Sequence, residues 1–154
     1  MITDFKKFIA LPRYEKHLLI EALVSLFWAK LLLLCLPFRK IAPRMGKAMG
    51  ETEKGAVGKQ ARELKSVQQA LRRAVPLVPG RRHCLTKALA GRMMLARRSI
   101  ACTIYLGMIK DTTRNHRLSA HAWLRSGDMF VTGTKGVDLT AYAVISMFAS
   151  KKAG

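Results

Sequence analysis

A cysteine and a histidine in the second half of the sequence have the residue types needed for nucleophilic catalysis. Cys84 follows the turn-forming residues 78–80 and begins a predicted helix, where unpaired backbone N–H groups and the helix dipole stabilise negative charge. Arg81 and Arg82 add positive charge beside it. These factors favour a thiolate, which attacks carbonyl carbons, and the same N–H groups could stabilise the resulting oxyanion. The alternative is a small, buried and inert cysteine.

His121 is the candidate base for this cysteine. It lies downstream of Cys84 inside an apolar segment that is predicted to be a strand. A strand packed against the start of the cysteine's helix would bring the imidazole to the sulfur. A hydrogen-bonded structural histidine is the alternative, because a Cys–His pair alone has little specificity.

The first half of the chain reads as helical. Residues 14–36 predict a long helix that stops before Pro37, since proline cannot extend a helix. Residues 38–49 form a short basic segment that is interpreted as a second helix, broken near Pro43 and Gly46, and residues 50–59 are polar and typical of a linker. Apolar residues at three- and four-residue steps then predict a helix over 61–75.

The second half combines one helix with strands. The helix is predicted over 84–97, and alternating apolar residues over 102–108 favour a strand with one buried face. A further strand over 118–125 places His121 and Trp123 on one face, and a turn at 126–128 leads to a hairpin partner at 129–132. Residues 141–149 give the last strand. Helices followed by an antiparallel sheet indicate the α+β class.

Charge is the most unusual feature of the composition. Twenty-eight Lys and Arg against nine Asp and Glu give a net charge of +19, which suits an anionic partner such as nucleic acid, an acidic membrane or an acidic peptide. The basic residues are spread along the whole chain. No reading helix or base-stacking motif accompanies them, so no specific nucleic-acid partner is expected.

The cellular location is inferred from the cysteines and the first residues. Cys35, Cys84 and Cys102 form an odd, widely spaced set, unlike a secreted disulfide framework. The N-terminus does not resemble a signal peptide, so we expect a cytoplasmic protein. Residues 18–38 are rich in Leu, but Glu21 and Lys30 divide them, which favours a packed helix over a membrane-embedded one. Peripheral membrane contact stays open.

Three short sequence motifs make the catalytic interpretation the leading one. They are His-Cys-Leu-Thr-Lys-Ala-Leu-Ala at 83–90, Ile-Tyr-Leu-Gly-Met at 104–108 and Ala-His-Ala-Trp-Leu at 120–124. This run resembles the lasso-peptide leader peptidases, a family of transglutaminase-like cysteine peptidases that includes the microcin-processing proteins. Leu-Pro-Arg at 11–13, a Leu-rich helix and Leu-Pro-Phe-Arg at 36–39 resemble the separate-chain form of these enzymes.

The resemblance implies a fold, a reaction and a set of partners. An N-terminal helical region at 1–58 would precede a transglutaminase-like or papain-like domain at 59–154, with the catalytic cysteine at a helix N-terminus packed on an antiparallel sheet. Cys84 would attack the bond that joins leader to core in a lasso-peptide precursor, and His121 would relay the proton. A small leader-recognition protein and the lasso macrocyclase would be partners. No cofactor is expected, and a nucleotide requirement is left open.

The third catalytic group does not follow the family pattern. The family places an acidic residue about a dozen positions after the histidine, but residues 130–134 contain none. Asp128 is the nearest candidate, although it falls in a predicted turn and is also typical of a solvent-facing turn residue. Asp138 lies beyond the next loop. An amide or a backbone carbonyl can fill the same role.

Three other interpretations stay open. Cys102, His116 and His121 are close enough in sequence for a zinc site, but no Cys-x-x-Cys pair accompanies them. A basic nucleic-acid-binding protein would need no catalytic cysteine. A transglutaminase-like acyl transferase would keep the fold and change the reaction. Trp123 is expected to wall the catalytic site, although a base-stacking role is the alternative.

Overall fold

The computed structural model describes residues 10–55, 58–80, 84–112 and 117–150 of the chain. Its first element, α1 (Arg13–Cys35), begins after Pro12 and ends before Pro37, which confirms the predicted long helix. One face of α1 is buried, and its members recur at helical spacing: Leu18, Leu19, Ala22, Ser25, Leu26, Ala29 and Leu32. This face supplies the first layer of the hydrophobic core.

Three more helices lie in the described part of the chain, and each matches a segment predicted from sequence. They are α2 (Phe38–Met45), α3 (Ala61–Ala74) and α4 (Cys84–Ala96). Pro43 lies inside α2, and Gly46 ends this helix. The backbone at Gly46 has φ +128°, and a Cβ atom there would lie 2.0 Å from the carbonyl oxygen of Ala149, so glycine is required at this position.

A five-stranded antiparallel sheet forms the second layer. Its strands are β1 (Lys47–Ala48), β2 (Thr103–Asp111), β3 (Arg117–Ser126), β4 (Met129–Thr132) and β5 (Ala143–Ala149), and their spatial order is β1-β5-β2-β3-β4. The register pairs Gly107 with His121 and Tyr105 with Trp123. The architecture is therefore the α+β arrangement that the sequence predicts.

Helices α3 and α4 pack over one face of this sheet, and α1 packs on these two helices. Fully buried side chains from each layer meet in one cluster, including Leu26 of α1, Leu64 of α3, Met94 of α4 and Leu124 of β3. Because α1 packs on both α3 and α4, the predicted N-terminal helical region shares its hydrophobic core with the residues that follow.

The start of β2 differs from the prediction of one buried face. Thr103 and Tyr105 are buried as well as Ile104, so both faces are covered. The cover is the segment 50–55, which was predicted as part of a linker. Thr52 donates its backbone N–H to Thr103 Oγ1 at 2.9 Å, and Tyr105 donates its hydroxyl to Glu51. Polar side chains can be buried here because they bond to one another.

Arg125 completes the contact between this segment and the sheet. The residue is only 4% exposed, and its guanidinium donates to Tyr105 Oη at 2.7 Å, to Glu51 Oε1 at 3.0 Å and to the carbonyl of Thr52 at 2.9 Å. A buried charge is tolerated when it is paired and fully hydrogen-bonded. Arg125 therefore fixes residues 51–52 against the strand that carries His121.

Replacement of one core leucine tests whether α1 belongs to the folded unit. Leu26→Ala is expected to lower the free energy of unfolding by about 2–5 kcal/mol, because Leu26 is fully buried and its truncation leaves a cavity. Leu34→Ala is the matched control in the same helix. It is 75% exposed, so its effect should stay within about 0.5 kcal/mol. Urea unfolding measures both, and equal effects would contradict the packing of α1.

Candidate active site

Cys84 is the first residue of α4, where the sequence predicts it. Its side chain is half-buried against the hydrophobic core, with Leu85 beside it and Thr86 buried in the same turn. The first N–H groups of a helix have no partner within the helix, and they point towards this end. Arg81, Arg82 and His83 lie outside the described residues, so their contribution to the charge at Cys84 stays a prediction.

His121 lies near the middle of β3 at a place where the strand has a free edge. Strand β4 pairs only with residues Leu124 to Ser126, so the edge at His121 is left to the loop that follows β4. The ring is half-buried between two aromatic neighbours, with centroid distances of 6.1 Å to Trp123 and 5.4 Å to Tyr142. Trp123 therefore packs beside the ring of His121, and its expected role as a wall of the catalytic site stays a prediction.

A backbone carbonyl holds the imidazole of His121. Nε2 of the ring lies 2.7 Å from the carbonyl oxygen of Gly133, which is the first residue after β4. A carbonyl can only accept a hydrogen bond, so Nε2 must donate and carry the proton. In the neutral ring, Nδ1 is then the acceptor. The contact fixes both the orientation of the imidazole and its tautomer.

Only glycine fits at position 133. Its φ is +89°, in the region that other residues rarely adopt. A Cβ atom there would lie 2.5 Å from Trp123 Cβ and 2.7 Å from the carbonyl oxygen of Ala122. Sequence reasoning missed Gly133 as a functional residue. The signal that could have identified it is its position twelve residues after His121, where the family places the acidic residue that orients the histidine.

Asp128 lies in the turn between β3 and β4, away from the imidazole. Its Oδ1 accepts from the N–H of Gly55 at 3.0 Å, and its own N–H donates to the carbonyl of Gly55 at 2.9 Å. His121 and the end of β3 at Ser126 are separated by five residues of strand, or about 16 Å. The structure therefore brings Asp128 to the segment 51–55 and not to the ring of His121.

The hydrogen bonds of Asp138 also go elsewhere than to the ring. Asp138 caps the short 3-10 turn Leu139–Ala141, where Oδ1 accepts from the N–H of Thr140 at 3.0 Å and from its hydroxyl at 2.6 Å. These hydrogen bonds hold the pKa of Asp138 below its usual value, because they stabilise the carboxylate.

One cavity joins His121 to the helix of the cysteine. It has a volume of about 290 Å³ and lies between the end of α3, the first turns of α4 and the loop after β4. His121 and Gly133 form part of its wall, and Lys87 lines it from α4, whereas Cys84 is not among its lining residues. Lys87 follows Cys84 by three residues, which places both on the same side of the helix. The hydrogen bond of the ring goes to Gly133, and not to the thiol of Cys84.

The other two cysteines have different surroundings. Cys35 is exposed at the end of α1. Cys102 is buried, and burial raises the pKa of its thiol to about 11, because a thiolate there would lose its hydration. Across the described ranges, no three His, Cys, Asp or Glu side chains come together as metal ligands. His116 lies outside those ranges, so the alternative of a zinc site with Cys102 and His121 is not tested.

Comparison with known proteins supplies the family. The family model of the transglutaminase-like superfamily matches residues 32–147, from the end of α1 to β5, and the match includes Cys84 and His121. The chain belongs to the transglutaminase-like superfamily, which includes cysteine peptidases and acyltransferases. No curated protein and no solved structure matches the chain.

Selective alkylation checks the assignment of the three thiols. At pH 8, iodoacetamide is expected to label Cys35 and Cys84 in the folded chain and to leave Cys102 unmodified. Cys102 stays protonated at this pH because its pKa is about 11, and its side chain is only 1% exposed. Peptide mapping by mass spectrometry measures each site, with urea-unfolded chain as the control. Labelling of Cys102 at the rate of Cys35 would contradict the structure.

Proposed function

We propose that this chain is a cysteine peptidase that removes the leader from a lasso-peptide precursor, with Cys84 as nucleophile and His121 as base. One observation carries the catalytic part of the proposal. The imidazole of His121 is oriented by the Gly133 carbonyl at the wall of a cavity that is also lined by Lys87, one turn after Cys84 in the same helix. Membership of the transglutaminase-like superfamily supports the same pairing. The lasso-peptide part of the proposal rests on the sequence resemblance.

The proposed reaction has two halves joined by an acyl-enzyme. Nδ1 of His121 takes the proton of the Cys84 thiol, and the thiolate attacks the carbonyl carbon at the end of the leader. Backbone N–H groups at the start of α4 stabilise the oxyanion. The imidazolium then gives its proton to the departing amine of the core peptide. Water, deprotonated by His121, cleaves the thioester and releases the leader as a carboxylate.

In this proposal the Gly133 carbonyl takes the place of the family's acidic residue. Its hydrogen bond keeps Nε2 protonated and leaves Nδ1 free to accept from the thiol. A carbonyl is a dipole and not a full charge, so it stabilises the imidazolium less than a carboxylate would. Most of the stabilisation of the cationic ring would come from the thiolate of Cys84.

The proposed partners follow from the reaction. They are the leader of the precursor, a small leader-recognition protein and the macrocyclase that uses the freed core. A net charge of +19 suits an acidic leader or an acidic partner, because opposite potentials raise the rate of encounter. We place the protein in the cytoplasm and propose no cofactor for the chemical step.

An acyltransferase is the second candidate, and membership of the superfamily favours it. The first half of the reaction would be the same, but an amine instead of water would resolve the thioester. Analysis of the products separates the two, since a peptidase releases a free carboxylate and an acyltransferase releases a new amide.

Reconstitution tests the proposed function. Cys84→Ala and His121→Ala are each expected to abolish leader cleavage without loss of fold, because one removes the nucleophile and the other its base. The measurement is mass spectrometry of the precursor after incubation with the purified chain and the leader-recognition protein, with circular dichroism as the folding control. Cys35→Ser, which changes an exposed cysteine, should keep wild-type activity. Full cleavage by Cys84→Ala would contradict the proposal.

A second pair of variants tests which group orients His121. Asp128→Asn is expected to keep most of the activity, because its carboxylate bonds to Gly55. Gly133→Ala should lower kcat by about a hundredfold, because the added methyl group collides with Trp123 and displaces the carbonyl from Nε2. Thermal melting of both variants controls for loss of fold. A large loss of kcat in folded Asp128→Asn would assign the orienting role to that carboxylate instead.

A further inference from the structure

The cavity beside His121 has a one-sided charge. Among the described residues, three cationic side chains line it: Arg72 from α3, Lys87 from α4 and Lys135 from the loop after β4. No Asp or Glu of the described ranges lines it. None of the three cations forms a salt bridge within the described part of the chain, whereas Arg73, Arg97, Arg98 and Arg125 all do. Their charge is therefore available to a ligand.

An unused hydrogen-bonding group lies in the same wall. Thr132 lines the cavity and is 7% exposed, and its hydroxyl has no hydrogen-bond partner among the residues the structure describes. Buried polar groups in folded proteins are nearly always bonded. The hydroxyl oxygen is enclosed in the wall, so a rotation of the Thr132 side chain about χ1 would be needed to bring it to a ligand in the cavity. A hydroxyl can donate a hydrogen bond to an anionic oxygen, and the neighbouring cations bind the same kind of atom.

We propose that this cavity binds the carboxylate of a glutamate or aspartate side chain of the substrate peptide, next to the bond that is cut. The inference rests on the proposed function, since it places the carboxylate beside His121. The apolar part of the wall, from Leu71, Val75 and Val131, would contact the methylene groups of the side chain. A free anion could satisfy the same cations, so the test must separate a peptide side chain from a small acid.

A binding experiment on the full-length chain tests the subsite without catalysis. The ¹⁵N-labelled protein is titrated with a capped Gly-Glu-Gly peptide, with the matched Gly-Gln-Gly peptide and with acetate. The Glu peptide is expected to shift the amide resonances of Lys87 and Thr132 saturably, and the Gln peptide to bind at least about tenfold more weakly, the usual effect of losing a charge-assisted hydrogen bond. Equal binding of both peptides, or acetate binding as tight as the Glu peptide, would overturn the proposal.

Two charge-neutralising variants make the binding test specific. Lys87→Gln should weaken binding of the Glu peptide, because Lys87 lines the cavity. Lys65→Gln is the matched control, since Lys65 is an exposed residue of α3 that does not line the cavity. If the two variants weakened binding equally, the effect would belong to overall charge and the proposed subsite would be excluded.

A cleavage experiment separates this inference from the proposed function. The purified chain digests a synthetic peptide library, and mass spectrometry identifies the residues around each cut bond. The subsite predicts enrichment of Glu and Asp close to the cut, and Lys87→Gln should reduce it. Cleavage without such enrichment overturns the subsite and leaves the peptidase standing. If nothing is cleaved, even when the leader-recognition protein and the precursor are present, the proposed peptidase function is contradicted. The binding experiment then still decides whether the subsite exists.

The outer face of α1 supports a second, independent proposal. Six large apolar side chains on this face are about half exposed or more: Ile20, Val24, Phe27, Trp28, Leu31 and Leu34. They recur at helical spacing and form one stripe opposite the buried face. By length and composition alone, α1 could also cross a membrane, with a mean hydropathy of 2.2 over its most apolar stretch. Its inner face is occupied by the core, so it is suited to lie on a surface.

We infer that this apolar stripe docks on an anionic lipid surface. Exposed cations lie at both ends of the stripe, with Arg13 at its start and Arg39, Lys40 and Arg44 in α2 beyond its end. An apolar helix face bordered by Lys and Arg is typical of binding to anionic membranes, where both burial and charge contribute. The net charge of +19 acts in the same direction.

Vesicle binding tests the docking of α1. The chain should sediment with phosphatidylcholine vesicles that contain phosphatidylglycerol, and much less with phosphatidylcholine alone. The fluorescence of exposed Trp28 should shift to the blue, whereas Trp123 is already buried. Phe27→Ser combined with Leu31→Ser should remove the binding, and Leu118→Ser, at an exposed apolar residue of β3, should not. Absence of sedimentation would overturn the inference. The inference would also be overturned if the chain dimerised with rising concentration and the double variant did not, because the stripe would then bind a second copy of the chain.

Discussion

The rest of the site depends on the close packing of α4 against β3. A Cβ atom at Gly91 of α4 would lie 2.7 Å from Leu124 Cδ2 and 3.3 Å from Leu71 Cδ1, so glycine lets the helix approach the strand and α3 at once. This contact fixes the position of the helix whose first residue is Cys84 relative to the strand that carries His121. Because cores are packed at nearly crystalline density, small changes at this contact would move the two ends of the site relative to each other.

The electrostatics of the site differ from those of a cysteine, histidine and carboxylate arrangement. The carbonyl of Gly133 satisfies Nε2 of His121 without adding negative charge, while Arg72, Lys87 and Lys135 surround the adjoining cavity. A site with this balance favours anions in general, whether the thiolate of Cys84, the oxyanion of a tetrahedral intermediate or an acidic group of a substrate. The two proposals about catalysis and about substrate charge therefore rest on one electrostatic property.

Much of the fold could be predicted from local sequence pattern. The helix bounds followed from Pro37 and from apolar periodicity, and the faces of β3 followed from the alternation around His121 and Trp123. The second covered face of β2 could not be predicted, because Tyr105 and Arg125 are buried by polar contacts with residues 51–52 that are distant in sequence. Such long-range hydrogen bonds have no local periodicity.

The same distinction holds for the site. Cys84 could be assigned to a helix start from the turn before it, and His121 to a strand from its neighbours. The role of Gly133 depends on a backbone carbonyl, which every residue has, and on a positive φ that brings the carbonyl to Nε2. A side-chain motif carries no information about the position of a backbone carbonyl or about a positive φ. A search restricted to acidic side chains leads to Asp128, which bonds to Gly55 instead.

The relative reactivity of two thiols in one chain shows most directly whether His121 activates Cys84. The rate of alkylation of Cys84 by iodoacetamide at pH 6.5 is divided by that of exposed Cys35, which serves as the internal reference. We expect Cys84 to react faster than Cys35 in the wild-type chain, and His121→Ala to lower the ratio by at least about tenfold. An identical ratio in the folded His121→Ala variant would contradict this activation.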